Sequence, residues 1–292
     1  MRIDLHSHSN RSDGTSSPAE LVRHARDVGL DVLAITDHDT TEGWAEAANV
    51  ATREGVALVR GIEVSCRHTG HGVHLLAYLP DPTYPPLAVE LDRVIDGRNA
   101  RLPATLEKLR DLGIDIDAQA VRRCAGHAVA MGRPHVADAL VQAGVVRDRT
   151  EAFDRFLGPN GPAYVRRYAA ELTEMLETVA AAGGVSVIAH PWAERHNHDA
   201  LDAAGLAYLK DVGLAGIEVD HQDHDTRTRD VLRDIARDLD LVATGSSDYH
   251  GLGKTGHELG CNTTDPEQLT RLLALAEKSA TVSGRETPEV LR

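Results

Sequence analysis

The histidines and carboxylates of this chain fall where its apolar runs end. Asp4-Leu5-His6-Ser7-His8 closes the first run, with Ser12-Asp13-Gly14 just beyond it. Thr36-Asp37-His38-Asp39, Gly61-Ile62-Glu63-Val64, Val73-His74, Ile188-Ala189-His190-Pro191 and Gly245-Ser246-Ser247-Asp248-Tyr249-His250 repeat the arrangement. Side chains alternate along a strand, so His6 and His8 point the same way. Imidazoles and carboxylates gathered at one end of a strand set make a metal site. Barrel enzymes carry their chemistry at that end.

The apolar runs read as seven strands, over residues 3–6, 31–36, 56–64, 73–79, 185–189, 216–219 and 241–245. Helical stretches lie between them. Ser16-Ser17-Pro18 starts one, another spans residues 43–54, and Gly183-Gly184 ends a third over 171–182. Strands alternating with helices predict an α/β fold, a (β/α)₇ barrel. Residues 81–170 break the rhythm. Pro80, Pro82, Pro85 and Pro86 mark the exit, and helical stretches follow at 87–112, 136–143 and 150–156. The division expected is a barrel of residues 1–80 and 171–292 with a helical insertion at 81–170. The insertion is expected over the barrel mouth, as the place where strand four ends. The tail beyond residue 273 reads as polar and carries no signal. Gly251-Leu252-Gly253-Lys254-Thr255-Gly256 lacks the spacing of a phosphate loop and reads as a flexible loop beside the site.

A chain of 292 residues can bury a full core, here built from Val, Leu, Ile and Ala because aromatics are only 3%. The net charge of −14 argues against a membrane surface or stable duplex DNA as partner. That charge is uneven: residues 81–170 hold 13 Lys/Arg against 12 Asp/Glu, the remainder 18 against 33. Cys66, Cys124 and Cys261 form no CxxC pair and read as free thiols. With no signal-type leader and no apolar run approaching membrane length, a cytoplasmic location is expected. The oligomeric state is left open.

Nine residues are candidate metal ligands: His6, His8, Asp13, His38, Glu63, His74, His190, Asp248 and His250. One ion takes three to five protein ligands, so nine imply two or three divalent ions. Mixed imidazole and carboxylate donors without thiolate suit Mn²⁺ first, and also Fe²⁺ or Zn²⁺. His24, His68, His196, His198, His221 and His224 lie in helices or polar loops and read as surface residues. His71, His127, His135 and His257 stay unassigned.

Taken together, these motifs resemble the PHP (polymerase and histidinol phosphatase) family over nearly the whole chain, insertion included. The pattern is most similar to stand-alone phosphoesterases acting on nucleoside 3',5'-bisphosphates and short RNA 5' ends. The resemblance implies a distorted (β/α)₇ barrel with two or three metals. It implies one metal on His6, His8, Glu63 and Asp248, with Glu63 bridging to a second on His74 and His190. A third would sit on Asp13, His38 and His250. The implied chemistry is phosphoester hydrolysis by a hydroxide bridging two metals. Asp37 or His250 would deliver the leaving-group proton, though Asp37 equally suits the role of partner to an imidazole N–H.

Arg98 and Arg101 share one face of the first inserted helix, and Arg133 sits in Met131-Gly132-Arg133-Pro134-His135. Guanidinium groups fit phosphate in a bidentate way. The resemblance places substrate contacts at Arg98, Asn99, Arg101 and Arg133. Arg122-Arg123 and Arg166-Arg167 read as surface charge. Two other readings stand beside this one. The first is a phosphatase for another small monoester such as histidinol phosphate. The second is a non-catalytic, metal-stabilised module serving a polymerase, against which the complete ligand set and the absence of polymerase-length sequence speak.

Overall fold

A computed structural model describes residues 1–193, 198–286 and 290; His196 lies outside the described residues. Strand β1 (Ile3–Asp4) pairs in parallel with β2 (Val32–Ile35), and β2 with β3 (Ala57–His68). The chain then reverses at Thr69-Gly70, and β4 (His71–Tyr78) runs antiparallel to β3. The two-residue β5 (Ala170–Glu171) adds to the far end of β3. β4 is also antiparallel to β6 (Val185–Ile188), after which β7 (Gly216–Asp220) and β8 (Val242–Gly245) continue in parallel. The sheet closes almost completely. A bridge joins Ser7 to Tyr249, and the buried Asp4 carboxylate accepts the N–H groups of Ser247 (3.0 Å) and Gly260 (2.8 Å). The expected seven-stranded barrel is therefore present, and its distortion is the reversed β4.

Strand alternation divides the core. Ile3, Leu5, Val32, Ala34, Val59, Leu76 and Val187 fill the barrel interior with Leu269, Leu272 and Ala276 of α10 (Pro266–Ser283). Leu33, Ile35, Leu58, Leu75, Ile188 and Ile217 point the other way. They meet α1 (Pro18–Asp27), α2 (Trp44–Glu54), α7 (Leu172–Ala181), α8 (Ala203–Val212) and α9 (Thr226–Asp238). Helix α1 starts as the Ser-Pro signal requires: Ser17 accepts from the Glu20 N–H while the Glu20 carboxylate accepts from the Ser17 N–H. The tail is not featureless. Ala276 and Ala280 continue the buried face of α10, and alanine gives too weak an apolar signal to reveal that face.

The reason expected for the insertion's position is corrected by β4. Because β4 is antiparallel, it ends at the floor of the barrel, where β6 begins: Tyr78 pairs with Val185. The chain returns to the mouth along α3 (Pro85–Asp111), whose 27 residues span about 40 Å at 1.5 Å per residue. Its first half packs Leu87, Leu91 and Val94 against the barrel. Its second half packs Leu102, Leu106 and Leu109 into a separate core. That core includes residues of α4 (Ala118–Ala125), α5 (Arg133–Gln142), α6 (Arg149–Ala152) and the π-turn Phe153–Leu157. Among the described residues no helix is long and apolar enough to cross a membrane.

Candidate active site

The nine sequence-predicted ligands converge at the barrel mouth around one carboxylate. Glu63 is buried on β3, and five imidazoles surround it. His74 Nδ1 lies 2.8 Å from Oε1, with His190 Nε2 at 3.2 Å and His6 Nε2 at 3.4 Å. His38 Nδ1 lies 2.9 Å from Oε2 and His8 Nε2 at 3.2 Å. His74 is supplied from the start of β4 rather than a strand end, because the reversed strand begins where its neighbours finish. Asp13 Oδ1 is 3.3 Å from His250 Nε2 and its Oδ2 3.7 Å from His38 Nε2. Asp248 Oδ1 is 3.3 Å from Nε2 of both His6 and His8. Among these nine, the sets close enough to share an ion are His8 with Asp13, His38 and His250; His6 with His8 and Asp248; His6 with Glu63 and His190; and His38 with Glu63 and His74. His74 and His190 thus fall into separate sets, each with Glu63.

The nitrogens are aimed as ligands rather than as donors. His6 Nε2 and His8 Nε2 stand 3.1 Å apart in full burial. His38 Nδ1, His74 Nδ1 and Asp13 Oδ1 have no hydrogen-bond partner although carboxylates or imidazoles are within reach. Buried orphan atoms of this kind are costly unless a cation lies among them. The rear nitrogens are tied down, which fixes the tautomers. His6 Nδ1 faces Glu218 Oε1 at 3.3 Å, and His250 Nδ1 donates to the Asp248 carbonyl at 2.9 Å. His8 Nδ1 is 3.4 Å from Ser12 Oγ, which donates to Asp37 Oδ1 at 2.6 Å. Burial opposes charge on His8, but Asp248 and Glu63 outweigh it, so the surroundings favour positive charge at this point, which a divalent ion would supply. The residues present therefore fit bound divalent ions. Asp39, His190 and Asp248 all have positive φ, the strained backbone that sharp turns at strand ends impose at functional sites.

The inserted arginines approach from one side. Arg98 donates through Nε to Asp39 Oδ2 (2.6 Å) and through Nη2 to Ser65 Oγ (2.8 Å). Asn99 Oδ1 accepts the Met131 N–H at 3.0 Å and so ties two inserted segments together. Arg133 donates to the Leu157 carbonyl at 3.0 Å and lies over the rings of Phe153 and Tyr164. Arg101 is only 8% exposed. Burial, then the charges of Arg133, Arg167 and Arg98, push its pKa down to about 8. Two cavities flank the cluster and share His74 and His190. One of about 390 Å³ includes His71, Arg133, Tyr164 and Arg166. The other, of about 520 Å³, includes Phe153, Lys254 and His257.

A PHP domain model matches residues 4–107. The 3',5'-nucleoside bisphosphate phosphatase of Chromobacterium violaceum is 34% identical, over 88% of this chain and 90% of the relative. The chain belongs to the PHP phosphoesterase family. The 5'-3' exoribonuclease of Haemophilus influenzae is 35% identical, over 85% of this chain and 90% of that enzyme. A solved structure from Bifidobacterium adolescentis, described as a metal-dependent phosphoesterase, superposes with a TM-score of 0.88 at 34% identity, covering 94% of this chain and 96% of that one. The PHP enzyme described here is accordingly a metal-dependent phosphoesterase.

Several residues of this PHP enzyme depart from the sequence reading. Of the two roles read for Asp37, its surroundings favour that of partner to an imidazole over that of leaving-group acid. It is 1% exposed, and its oxygens accept from the Ser9 N–H (2.8 Å), Ser9 Oγ (2.6 Å) and Ser12 Oγ. It therefore acts on His8 through Ser12. Arg167 is half-buried rather than simple surface charge, and burial together with the Arg98 charge lowers its pKa to about 10. His221 and His224 are buried, not superficial. Glu218 was missed altogether. It accepts from Ser246 Oγ and, at 2.9 Å, from the His190 N–H while it orients His6. A carboxylate inside the apolar run Gly216-Ile217-Glu218-Val219 was the available signal.

Proposed function

We propose that this PHP phosphoesterase hydrolyses nucleoside 3',5'-bisphosphates, short RNA 5' ends, or both. The observation that carries the reading is a cluster of arginines beside the ligand set. Arg98 is matched by Asp39, whereas no carboxylate pairs with Arg101 among the described residues. An anionic group of the substrate supplies the missing charge. A substrate with two phosphates uses both features, one phosphate at the ligand cluster and the other against Arg101 and Arg133. Asn99 and Arg98 then shape that arginine wall. Histidinol phosphate has no second phosphate and leaves Arg101 unmatched. The same feature disfavours a non-catalytic polymerase module.

The nine ligands are proposed to hold two or three divalent ions, Mn²⁺ first, with Glu63 shared between two of them. Bound ions of this class act as Lewis acids and acidify a coordinated water towards neutral pH. Asp37, through Ser12, and Glu218 hold His8 and His6 with their Nε2 lone pairs forward. His250, with Nδ1 committed to the Asp248 carbonyl, serves as a ligand rather than as the leaving-group acid. Residues 1–80 and 171–292 are proposed as the catalytic barrel and residues 81–170 as the substrate-selecting cover, in a cytoplasmic protein with free thiols. A panel of phosphoesters tests the reading: adenosine 3',5'-bisphosphate, a 5'-phosphorylated oligoribonucleotide and histidinol phosphate, each with Mn²⁺ and with chelator. The first two should be cleaved with Mn²⁺ only. Preference for histidinol phosphate, or full activity in chelator, would refute it.

A further inference from the structure

The glycine-rich loop after His250 is pinned, not free. Gly251 has φ +63°, and a Cβ there would stand 2.0 Å from Thr15 Oγ1. A Cβ on Gly253 would stand 2.1 Å from Arg149 Nη1. The Leu252 N–H donates to Thr15 Oγ1 at 3.0 Å. The pinned loop delivers Lys254 to the outer side of a metal-ligand candidate. Asp248 turns Oδ1 towards His6 and His8, while its Oδ2 receives Lys254 Nζ at 2.6 Å.

The ammonium sits among groups that otherwise make a cation site. Asp223 Oδ2 is 3.4 Å from Lys254 Nζ, and Asp223 Oδ1 is 3.4 Å from His257 Nε2. His257 Nδ1 donates to the Ser247 carbonyl at 2.8 Å, which leaves a lone pair on Nε2. His221, Asp248 and His257 bring potential ligand atoms within 4.8 Å of one another. His221 is fully buried, and its Nε2, 3.4 Å from Asp248 Oδ2, makes no hydrogen bond. Its Nδ1 accepts the Asp223 N–H at 3.1 Å, so the proton of the neutral ring is on Nε2 and His221 is not itself a ligand. Asp248 and His257 remain of that set, and Asp223, 3.4 Å from His257 Nε2 and 3.4 Å from the ammonium, adds a second carboxylate, a donor combination that divalent ions accept.

We propose that Lys254 is a resident cation: its ammonium fills a position where Asp248, Asp223 and His257 would otherwise hold an additional divalent ion. It thereby confines metal to the inner side of Asp248. The inference builds on the proposed metal cluster, but its readout is ion count and needs no substrate.

The test compares full-length wild type, Lys254→Met and Lys254→Arg, each equilibrated with Mn²⁺, freed of loose ions and counted by inductively coupled plasma mass spectrometry. Lys254→Met should carry about one more ion per chain than wild type, and Lys254→Arg the wild-type number. Adding His257→Ala to Lys254→Met should remove the gain. An unchanged or lower count in folded Lys254→Met, checked by circular dichroism, overturns the proposal. So does a gain that survives His257→Ala. If Lys254→Met does not fold, Lys254→Gln takes its place, and failure of both to fold also overturns it, since Lys254 then holds the structure. A wild type that binds ions but cleaves no phosphoester would defeat the functional reading and leave this count intact.

Discussion

Glu63 is the residue on which most of the site depends, because five imidazole nitrogens stand within 3.4 Å of its two oxygens. Replacing it with alanine should therefore remove two ions together, whereas His250→Ala, at the Asp13 edge of the cluster, should remove one at most. Metal analysis of the two variants checks this, and equal losses would contradict it. Arg101 offers a complementary measurement. A charge-assisted hydrogen bond contributes roughly 1.5–3 kcal/mol. Arg101→Met should accordingly lower kcat/KM for a nucleoside bisphosphate on the order of 10- to 100-fold. p-Nitrophenyl phosphate, without a second phosphate, should lose much less. At this scale the ligand cluster was legible because strand alternation is periodic and histidines after apolar runs stand out. Arg167, Glu218 and His221 were not legible. Their meaning depends on which distant residues they meet: Arg98, His6 and Asp248.

Among the elements, β4 and α3 decide how the site is assembled. A strand's direction is not written in its composition, so the seven strands could be read and the reversal of the fourth could not. The reversal lets His74 enter from a strand start and sends the chain to the floor, from which α3 climbs back with Arg98 and Arg101. Polar ties fasten the cover to the barrel. Arg149 is one of them: it donates to the Asp13 carbonyl (3.0 Å) across the seam, and both oxygens of Asp138 (2.7 Å each), on the cover itself, hold its guanidinium in place. These bonds are largely shielded from water, so Arg149→Ala should lower the free energy of unfolding by about 2–3 kcal/mol, measured by urea titration with metal present. Arg147→Ala, two residues away and exposed, should match wild type within error although it too has an ion pair. Equal destabilisation by both would mean that Arg149 is no fastener. Helix α10 escaped the sequence reading for a different reason. Its buried face is partly alanine, which packs well but scarcely registers as apolar.

For the molecule as a whole, the charge of −14 is carried outside residues 81–170, so a long polyanion meets repulsion everywhere except at the cover. The two cavities that share His74 and His190 in their linings add a constraint of a different kind. Each has the volume of a small-molecule pocket. The inserted helices are held down beside them through Arg98 to Asp39, His135 to the Ser12 carbonyl and Arg149 to the Asp13 carbonyl. Such a space admits the tip of a thread more readily than a loop of it. A 5'-phosphorylated oligoribonucleotide should therefore be shortened nucleotide by nucleotide, while the same strand ligated into a ring should persist under identical conditions. Gel analysis of the linear and circular forms side by side makes the comparison, and a ring cut as fast as its linear counterpart would show the passage to be open along its length. Under the proposed function, possession of a free end, more than any base sequence, would be what marks a strand for this enzyme.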